Sequence, residues 1–363
     1  MVSFDTVSSR SNADLCGRLA ELLESLGAQV DFQRKPGDDG QVNLVARLGP
    51  DGVGGLALAG HTDTVPWDGS MRATVQPERD GRKLYGRGTC DMKGAIAAMV
   101  HAAAAVDSSS LKKPLWLAFT FEEEIGCHGA KLLQSLRPIP AEHCIIGEPT
   151  GLRPVTMHKG YLIADMRLQG KPCHSSDPDQ GASAIRAASR AVDALLRLGE
   201  DWRSAPQPES GLSPPWTTVN VGLLEGGSAR NVVPEHARFT IEMRPLPGMD
   251  VDELLAEVRS VVGLAAETVE GVSWEFEALE RDEPFRNELS APLVSWLVEA
   301  TGRSIGSVPF YTEAAIFGRM GASPCVCGPG EMAQAHRVDE WVEMDALEAA
   351  AQLYRRAIEE FCR

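Results

Sequence analysis

Leucines at positions 15, 19, 22, 23 and 26 recur at helical spacing and Gly27 follows as a stop, so residues 12–26 are predicted to form an amphipathic helix. Residues 29–34 and 43–48 then read as strands. The short apolar run 56–59 has strand character and ends at Gly60. A second run, 115–121, is apolar throughout, as in a strand covered on both faces. Between them, residues 92–106 carry AIAAMVHAAAAV, apolar nearly all round, which predicts a buried helix. Ile145 and Ile146 repeat the strand arrangement. Past Pro154 the pattern changes. Residues 155–169 read as a long strand or hairpin, 182–198 as a helix, 217–224 and 236–243 as strands, and 251–262 as a helix capped by Asp250. That β-α-β-β-α order fits a small two-layer unit inserted into a larger α/β domain. From Ser273 the α/β pattern resumes with a strand, helices at 290–300 and near 312–319, a strand at 323–327 and a closing helix at 344–361. The expected division is 1–154 with 270–363 for the larger, discontinuous domain and 155–269 for the insert.

The placing of acids and histidines on this pattern gives it chemical content. His61 and Asp63 follow the first apolar run, and Asp91 stands just before the buried helix. Glu122, Glu123 and Glu124 end the second run, and Glu148 lies just beyond Ile146. Ends of successive strands are where open α/β sheets put their sites. Imidazole and carboxylate at i and i+2 of an extended segment point the same way. So many carboxylates around one cleft would repel each other, and a divalent cation, or two, removes that difficulty. In isolation each signal is weak: a lone His-x-Asp is commonly a satisfied loop, and a run of glutamates is commonly a solvated turn. The end of a buried strand is a different setting. His336, in GPGEMAQAHRVDE, follows a Gly-Pro-Gly turn and taken alone is an ordinary loop histidine.

Composition narrows the partners. The 363 residues are 43% hydrophobic, enough for a sizeable core, and no apolar run approaches the roughly 18 residues of a membrane span. Thirty-five basic against 51 acidic residues give a net charge of −16, which repels nucleic acid and anionic membranes and leaves small molecules as the expected partners. The eight cysteines are dispersed with no CxxC pair, so reduced thiols and a cytoplasmic setting are expected. Cys325 and Cys327 share one face of a strand and read as a buried pair. Histidine and carboxylate donors without thiolate suit zinc, with cobalt or manganese as alternatives. Two cations sharing a carboxylate can polarise a carbonyl and bring the pKa of water to about 7. A further carboxylate must then carry the proton to the leaving amine.

Taken together, GHTDTVP, GRGTCDMKGAIAAM, FTFEEEIGCHGA, IIGEPT, HKGY, GKPCHSS, GGSARNVVPEHA, EMRPLPG and GPGEMAQAHRVDEWV resemble the metal-dependent amidohydrolase and exopeptidase family. That family contains acetylornithine deacetylases, succinyl-diaminopimelate desuccinylases, aminoacylases and glutamate-releasing carboxypeptidases. The resemblance spans nearly the whole chain and is nearest to the acetylornithine-deacetylase branch. It implies a zinc-exopeptidase-like catalytic domain with a mixed central sheet flanked by helices, and an inserted ferredoxin-like α+β domain that dimerises the protein. The implied reaction is hydrolysis of an N-acyl-L-amino acid, N2-acetyl-L-ornithine first among the candidates.

Carried over by position, the resemblance implies that His61, Asp91 and Glu148 hold one cation, and Asp91, Glu124 and His336 the other. Asp63 would orient His61, and Glu123 would be the general base. His174 would reach a partner subunit's site to donate to the oxyanion. Asn231 and Arg244 would bind the substrate carboxylate, and Gly328 is assigned beside them. Glu313, in YTEAA, is offered to the ornithine side-chain amine, against a plain helix-start acid. Two departures from the family stand out. Glu122 occupies the place of an Asp, so the base frame is fixed by counting back from Gly126. The chain also opens directly on Met1-Val2-Ser3-Phe4, where relatives have a helix, which suggests a shortened gene start or an exposed patch.

Overall fold

The apolar runs of the sequence become the parallel middle of a mixed sheet, in which Leu115–Thr120, Leu56–His61, His143–Pro149 and Ser323–Gly328 lie side by side in that order. Antiparallel Asp38–Leu48 and then Gln29–Lys35 extend it beyond Leu115–Thr120. This is a computed structural model; it describes Met1–Arg363 apart from the side chain of Glu209. The chain divides into two units, Met1–Thr156 with Asn287–Gly306 and Thr312–Arg363, and Met157–Arg286 with Ser307–Tyr311.

In the first unit every residue of Leu56–His61 and His143–Pro149 is buried, which is why these strands are apolar without alternation. The helices Ala13–Ser25, Lys93–Ala104, Pro292–Thr301 and Met344–Cys362 share one core with the sheet. Leu15, Leu19 and Leu23 supply the buried stripe of the first helix, each worth up to about 1.5–3 kcal/mol of transfer free energy. Gly60 and Gly147 each stand one residue before an acid or histidine at a strand end. A Cβ at either position would collide with Met92, at the start of the Lys93–Ala104 helix. Their bareness lets that helix lie directly against the strand ends that carry His61 and Glu148.

In the second unit, Thr218–Gly226, His236–Arg244, Tyr161–Gln169 and Ser273–Asp282 form an antiparallel sheet in that spatial order. With the helices Ala184–Ser204 and Val251–Glu267 this is a complete β-α-β-β-α-β unit, ferredoxin-like in strand order. Ala187, Ala191 and Leu195 from one helix and Leu254, Val258 and Val262 from the other bury against Leu162, Met166, Phe239 and Ile241. Asp250 caps the second helix as expected, accepting from the amides of Asp252 at 2.8 Å and Glu253 at 3.1 Å.

Three details differ from expectation. The stretch 155–169 is two strands in different sheets: Val155 of Val155–His158 pairs with Val326, while Tyr161–Gln169 runs through the middle of the small sheet. The strand from Ser273 completes the small sheet instead of returning to the large one, so the boundary drawn at 269/270 falls inside the second unit, which runs on to Arg286. The pattern also gave no sign of the small sheet Trp341–Glu343, Lys83–Tyr85, Glu78–Asp80, whose three-residue strands are too short for a period to show. Cys325 and Cys327 are both fully buried, as read. Among the described residues no helix is long and apolar enough to cross a membrane.

Candidate metal centre

Three strand ends, the turn before the Lys93–Ala104 helix and one loop converge in the larger unit. His61 ends its strand, and its Nδ1 lies 3.0 Å from the carbonyl oxygen of Asp63, a contact that places the ring proton on Nδ1 and leaves Nε2 to bind. Nε2 faces Asp91 Oδ1 at 3.2 Å and Glu148 Oε1 at 3.8 Å. The other oxygen of Asp91 faces His336 Nε2 at 3.1 Å, and Glu124 lies 3.1 Å from the same nitrogen. Two groups of donor atoms result, His61–Asp91–Glu148 and Asp91–Glu124–His336, each with its atoms within 4.8 Å of one another. Asp91 belongs to both, with one oxygen turned toward each. Glu148 Oε1 is buried and, among the described residues, has no hydrogen-bond partner. An orphaned buried carboxylate oxygen is costly unless something is bound to it, so the donor set fits a pair of divalent cations.

The acidic turn sorts its three glutamates by direction. Glu122 has φ 51°, the left-handed region that non-glycine residues seldom adopt. Its carboxylate is bound by Lys35 Nζ at 2.6 and 2.8 Å and by His128 Nδ1 at 2.8 Å. Glu123 and Glu124 are left facing the donors: Glu123 Oε2 is 4.0 Å from His61 Nε2. Asp63 fixes this turn. Its carboxylate accepts the amides of Glu123 at 3.0 Å and Glu124 at 3.3 Å, and the hydroxyl of Ser8 at 2.7 Å. Asp63 thus meets His61 through its carbonyl and fixes, through its carboxylate, the backbone of Glu123 and Glu124. Ser8 had no distinguishing sequence context. The N-terminal residues are not an exposed patch: Met1 and Phe4 pack against the core, and the Phe4 carbonyl accepts from buried Lys93 at 2.8 Å.

Electrostatics express the crowding. Burial pushes Glu123 and Glu148 well above the usual carboxylate range and raises Glu124 as well. Burial also opposes charge on Asp91, but hydrogen bonds from His336 and His61 outweigh it and hold Asp91 below its ordinary value. Bonds to Asp91 and Glu124 push His336 up to about 10, and His61 is raised well above its ordinary value because Asp63 and Asp91 overcome its burial. Protons here do the neutralising that a cation would do, so metal binding must release them.

Glu313 and Gly328 are both buried. Glu313 is fully buried, with Oε1 accepting from Thr120 Oγ1 at 2.5 Å and Oε2 without a hydrogen-bond partner among the described residues. Burial pushes its carboxyl up to about 7. With 4.5 as the unfolded value, the folded state holds a proton that the unfolded state releases, so this group's contribution becomes unfavourable as pH rises from 4.5 through 7. The penalty is on the order of 3 kcal/mol at pH 8. Glu313→Gln is expected to melt above the wild type at pH 8 and level with it near pH 4.5; melting curves of the chelated protein at both pH values check this. Gly328 is a packing residue. A Cβ there would enter the backbone of Gly147 and Glu148, and its own carbonyl accepts from Leu152 at 2.8 Å.

His174, Asn231 and Arg244 lie in the second unit. The Ser175 amide donates to the Asn231 carbonyl at 3.0 Å, which makes His174 and Asn231 near neighbours. His174 Nδ1 accepts from the Ser176 amide at 3.2 Å, which puts the ring proton on the exposed Nε2. Arg244 stacks 4.2 Å over Tyr161, and Glu242 accepts from its Nε at 2.7 Å.

Fold and site together define a metal-dependent hydrolase of amide bonds. Residues 57–360 match the model of Peptidase family M20/M25/M40, and the chain belongs to that family. It is 39% identical over 375 residues to an acetylornithine deacetylase of Myxococcus xanthus, an alignment covering 100% of this chain and 96% of that protein. Among solved structures it is similar in fold to aminopeptidase PepT of Bacillus cereus, with TM-score 0.79 and 22% identity over 99% of this chain and 95% of that one. It is also similar to a metallo-carboxypeptidase of Sulfolobus solfataricus, with TM-score 0.78 and 18% identity over 99% and 97%. A Bacillus subtilis structure described as a dinuclear metal binding peptidase of the same family matches at TM-score 0.69 and 15% identity, over 96% and 92%.

Proposed function

We propose that this chain hydrolyses N2-acetyl-L-ornithine to L-ornithine and acetate, a step of arginine biosynthesis. The observation that carries this reading is the 39% identity, across the whole chain, to a protein of that activity. His61, Asp91 and Glu148 hold one cation and Asp91, Glu124 and His336 the other, zinc by donor type, with cobalt or manganese able to replace it. Such a pair supplies Lewis-acid polarisation of the scissile carbonyl and lowers the pKa of the attacking water to about 7. Glu123 takes the proton from that water as oxygen bonds to the carbonyl carbon. It then delivers the proton to the departing α-amine as the C–N bond breaks. Glu122 is unsuited to this work because Lys35 and His128 hold its carboxylate.

In the second unit, Glu242 engages Nε of Arg244, leaving the terminal nitrogens for the substrate α-carboxylate, with Asn231 as a second polar contact. The Nε2–H of His174 donates to the oxyanion in a partner subunit's site, within a homodimer formed through this unit. If so, mixing Glu123→Gln and His174→Ala proteins restores part of the activity once subunits exchange, since one mixed site is intact; no recovery despite proven exchange would remove the cross-subunit role. The cytoplasm is the proposed compartment, supported by eight cysteines that are all free thiols.

A substrate panel tests the activity: acetylornithine, acetylcitrulline, succinyl-diaminopimelate, neutral acetyl-amino acids and dipeptides, each with zinc- or cobalt-loaded protein and with chelated protein. Acetylornithine should give the highest kcat/KM, and the chelated protein none. Preference for a dipeptide or a neutral acyl-amino acid would move the proposal to another branch of the family.

A further inference from the structure

Two motifs that carry the family resemblance contain buried charged residues that no step above uses, Arg87 in GRGTCDMKG and Glu340 in AHRVDEWV. They meet. Arg87 Nη1 donates to Glu340 Oε2 at 2.6 Å, and Arg87 Nη2 donates to the Pro66 carbonyl at 3.4 Å. The free oxygen of Glu340 turns to the backbone: Oε1 accepts the amide of Cys90 at 3.0 Å and that of Asp91 at 3.2 Å. The main chain of Glu340 takes part as well: the Gly86 amide donates to its carbonyl at 3.1 Å. The peptide that presents Asp91 is thus held by a side chain 249 positions away.

The source of that side chain matters. Glu340 lies four residues beyond His336, whose own backbone sits in the left-handed region at φ 58°. One short segment therefore carries a donor to the candidate metal centre and also the carboxylate that locks the loop of a second donor. The same device operates at the acidic turn, where the Asp63 carboxylate accepts the amides of Glu123 and Glu124. In each case a carboxylate outside both donor groups fixes the backbone of a donor. Arg87 has a definite part in this: by engaging Oε2 it offsets the charge of a buried carboxylate.

We propose that Glu340, held by Arg87, is a positioning residue that sets the spacing of Asp91 and His336, and so the affinity for the cation bound by Asp91, Glu124 and His336. This rests on the two-cation reading above. What Glu340 supplies to the loop is an acceptor oxygen at full side-chain reach; its charge serves the contact with Arg87. The conservative variants therefore separate the two. Glu340→Gln keeps the oxygen at the same reach and gives up the charge, whereas Glu340→Asp keeps the charge and withdraws the oxygen by one carbon.

The test is a zinc titration of chelated full-length protein against a chromophoric chelator, with melting temperatures and steady-state kinetics on the same samples. Wild type should bind two cations. Glu340→Gln should hold the cation of Asp91, Glu124 and His336 within about threefold of wild type, while Glu340→Asp and Glu340→Ala lose about tenfold or more. The fall should appear in kcat more than in KM. Leu353→Ala, which removes buried side-chain volume in the closing helix, serves as the control for lost stability. If Glu340→Ala does not fold, the order of Gln above Asp still decides. Equal affinities for wild type and Asp, a loss in Gln as large as in Asp, or an equal loss in Leu353→Ala would each overturn the positioning role. A wild type that fails to bind two cations would instead overturn the two-cation reading itself.

Discussion

Glu123→Gln is expected to lower turnover about 10²- to 10⁴-fold while the protein still binds two cations. The separation follows from geometry. Glu123 belongs to neither donor group, yet its carboxylate lies 4.0 Å from His61 Nε2, next to the donors, and its backbone is fixed by Asp63. Burial drives its carboxyl well above the usual range in the absence of cations. Two positive ions nearby would reverse that tendency and favour the ionised form that a base needs. Metal content by mass spectrometry alongside kcat checks both halves. Retained turnover would put the base elsewhere, and loss of metal would make Glu123 a ligand.

Asp91→Ala should have the other large effect, removing both cations at once and turnover with them. Asp91 is the one residue shared by the two donor groups, and each of its oxygens faces a different histidine. Substituting Glu148 or Glu124 should weaken one cation more than the other. The clearest readout is thermal. Ligands that bind only the folded state raise the melting temperature by mass action, so chelation should lower that of the wild type and leave that of Asp91→Ala nearly unchanged. A variant that still melts lower after chelation would show that Asp91 is not the shared ligand.

The fold was readable wherever a local pattern has a structural period. The leucine stripe of 15, 19 and 23, the apolar run from Leu115 and the cap at Asp250 all speak through near neighbours in the chain. Sheet membership does not. Nothing in the sequence of Ser273–Asp282 says that its partner is Tyr161–Gln169, and the same holds for the separation of Val155–His158 from Tyr161–Gln169. The candidate donors were legible because acids and histidines at strand ends are chemically costly without a reason. The surroundings of Glu313 were not legible because its burial comes from neighbours distant in sequence, Thr120 among them. Glu340, Arg87 and Ser8 went unassigned for a related reason: their work is to hold backbone or a second carboxylate, which leaves no mark in residue type or spacing. Glu122 belongs here too, since only Lys35 and His128 reveal which way the turn points.

Hydrolysis by the proposed route requires five side chains to gather two cations around Asp91. Diffraction from zinc-loaded crystals, recorded on both sides of the zinc absorption edge, tests this directly. Two anomalous peaks are expected, one among His61, Asp91 and Glu148 and the other among Asp91, Glu124 and His336, with Glu123 bound to neither. Peaks confined to other residues, or none at this cluster in protein that hydrolyses its substrate, would contradict it.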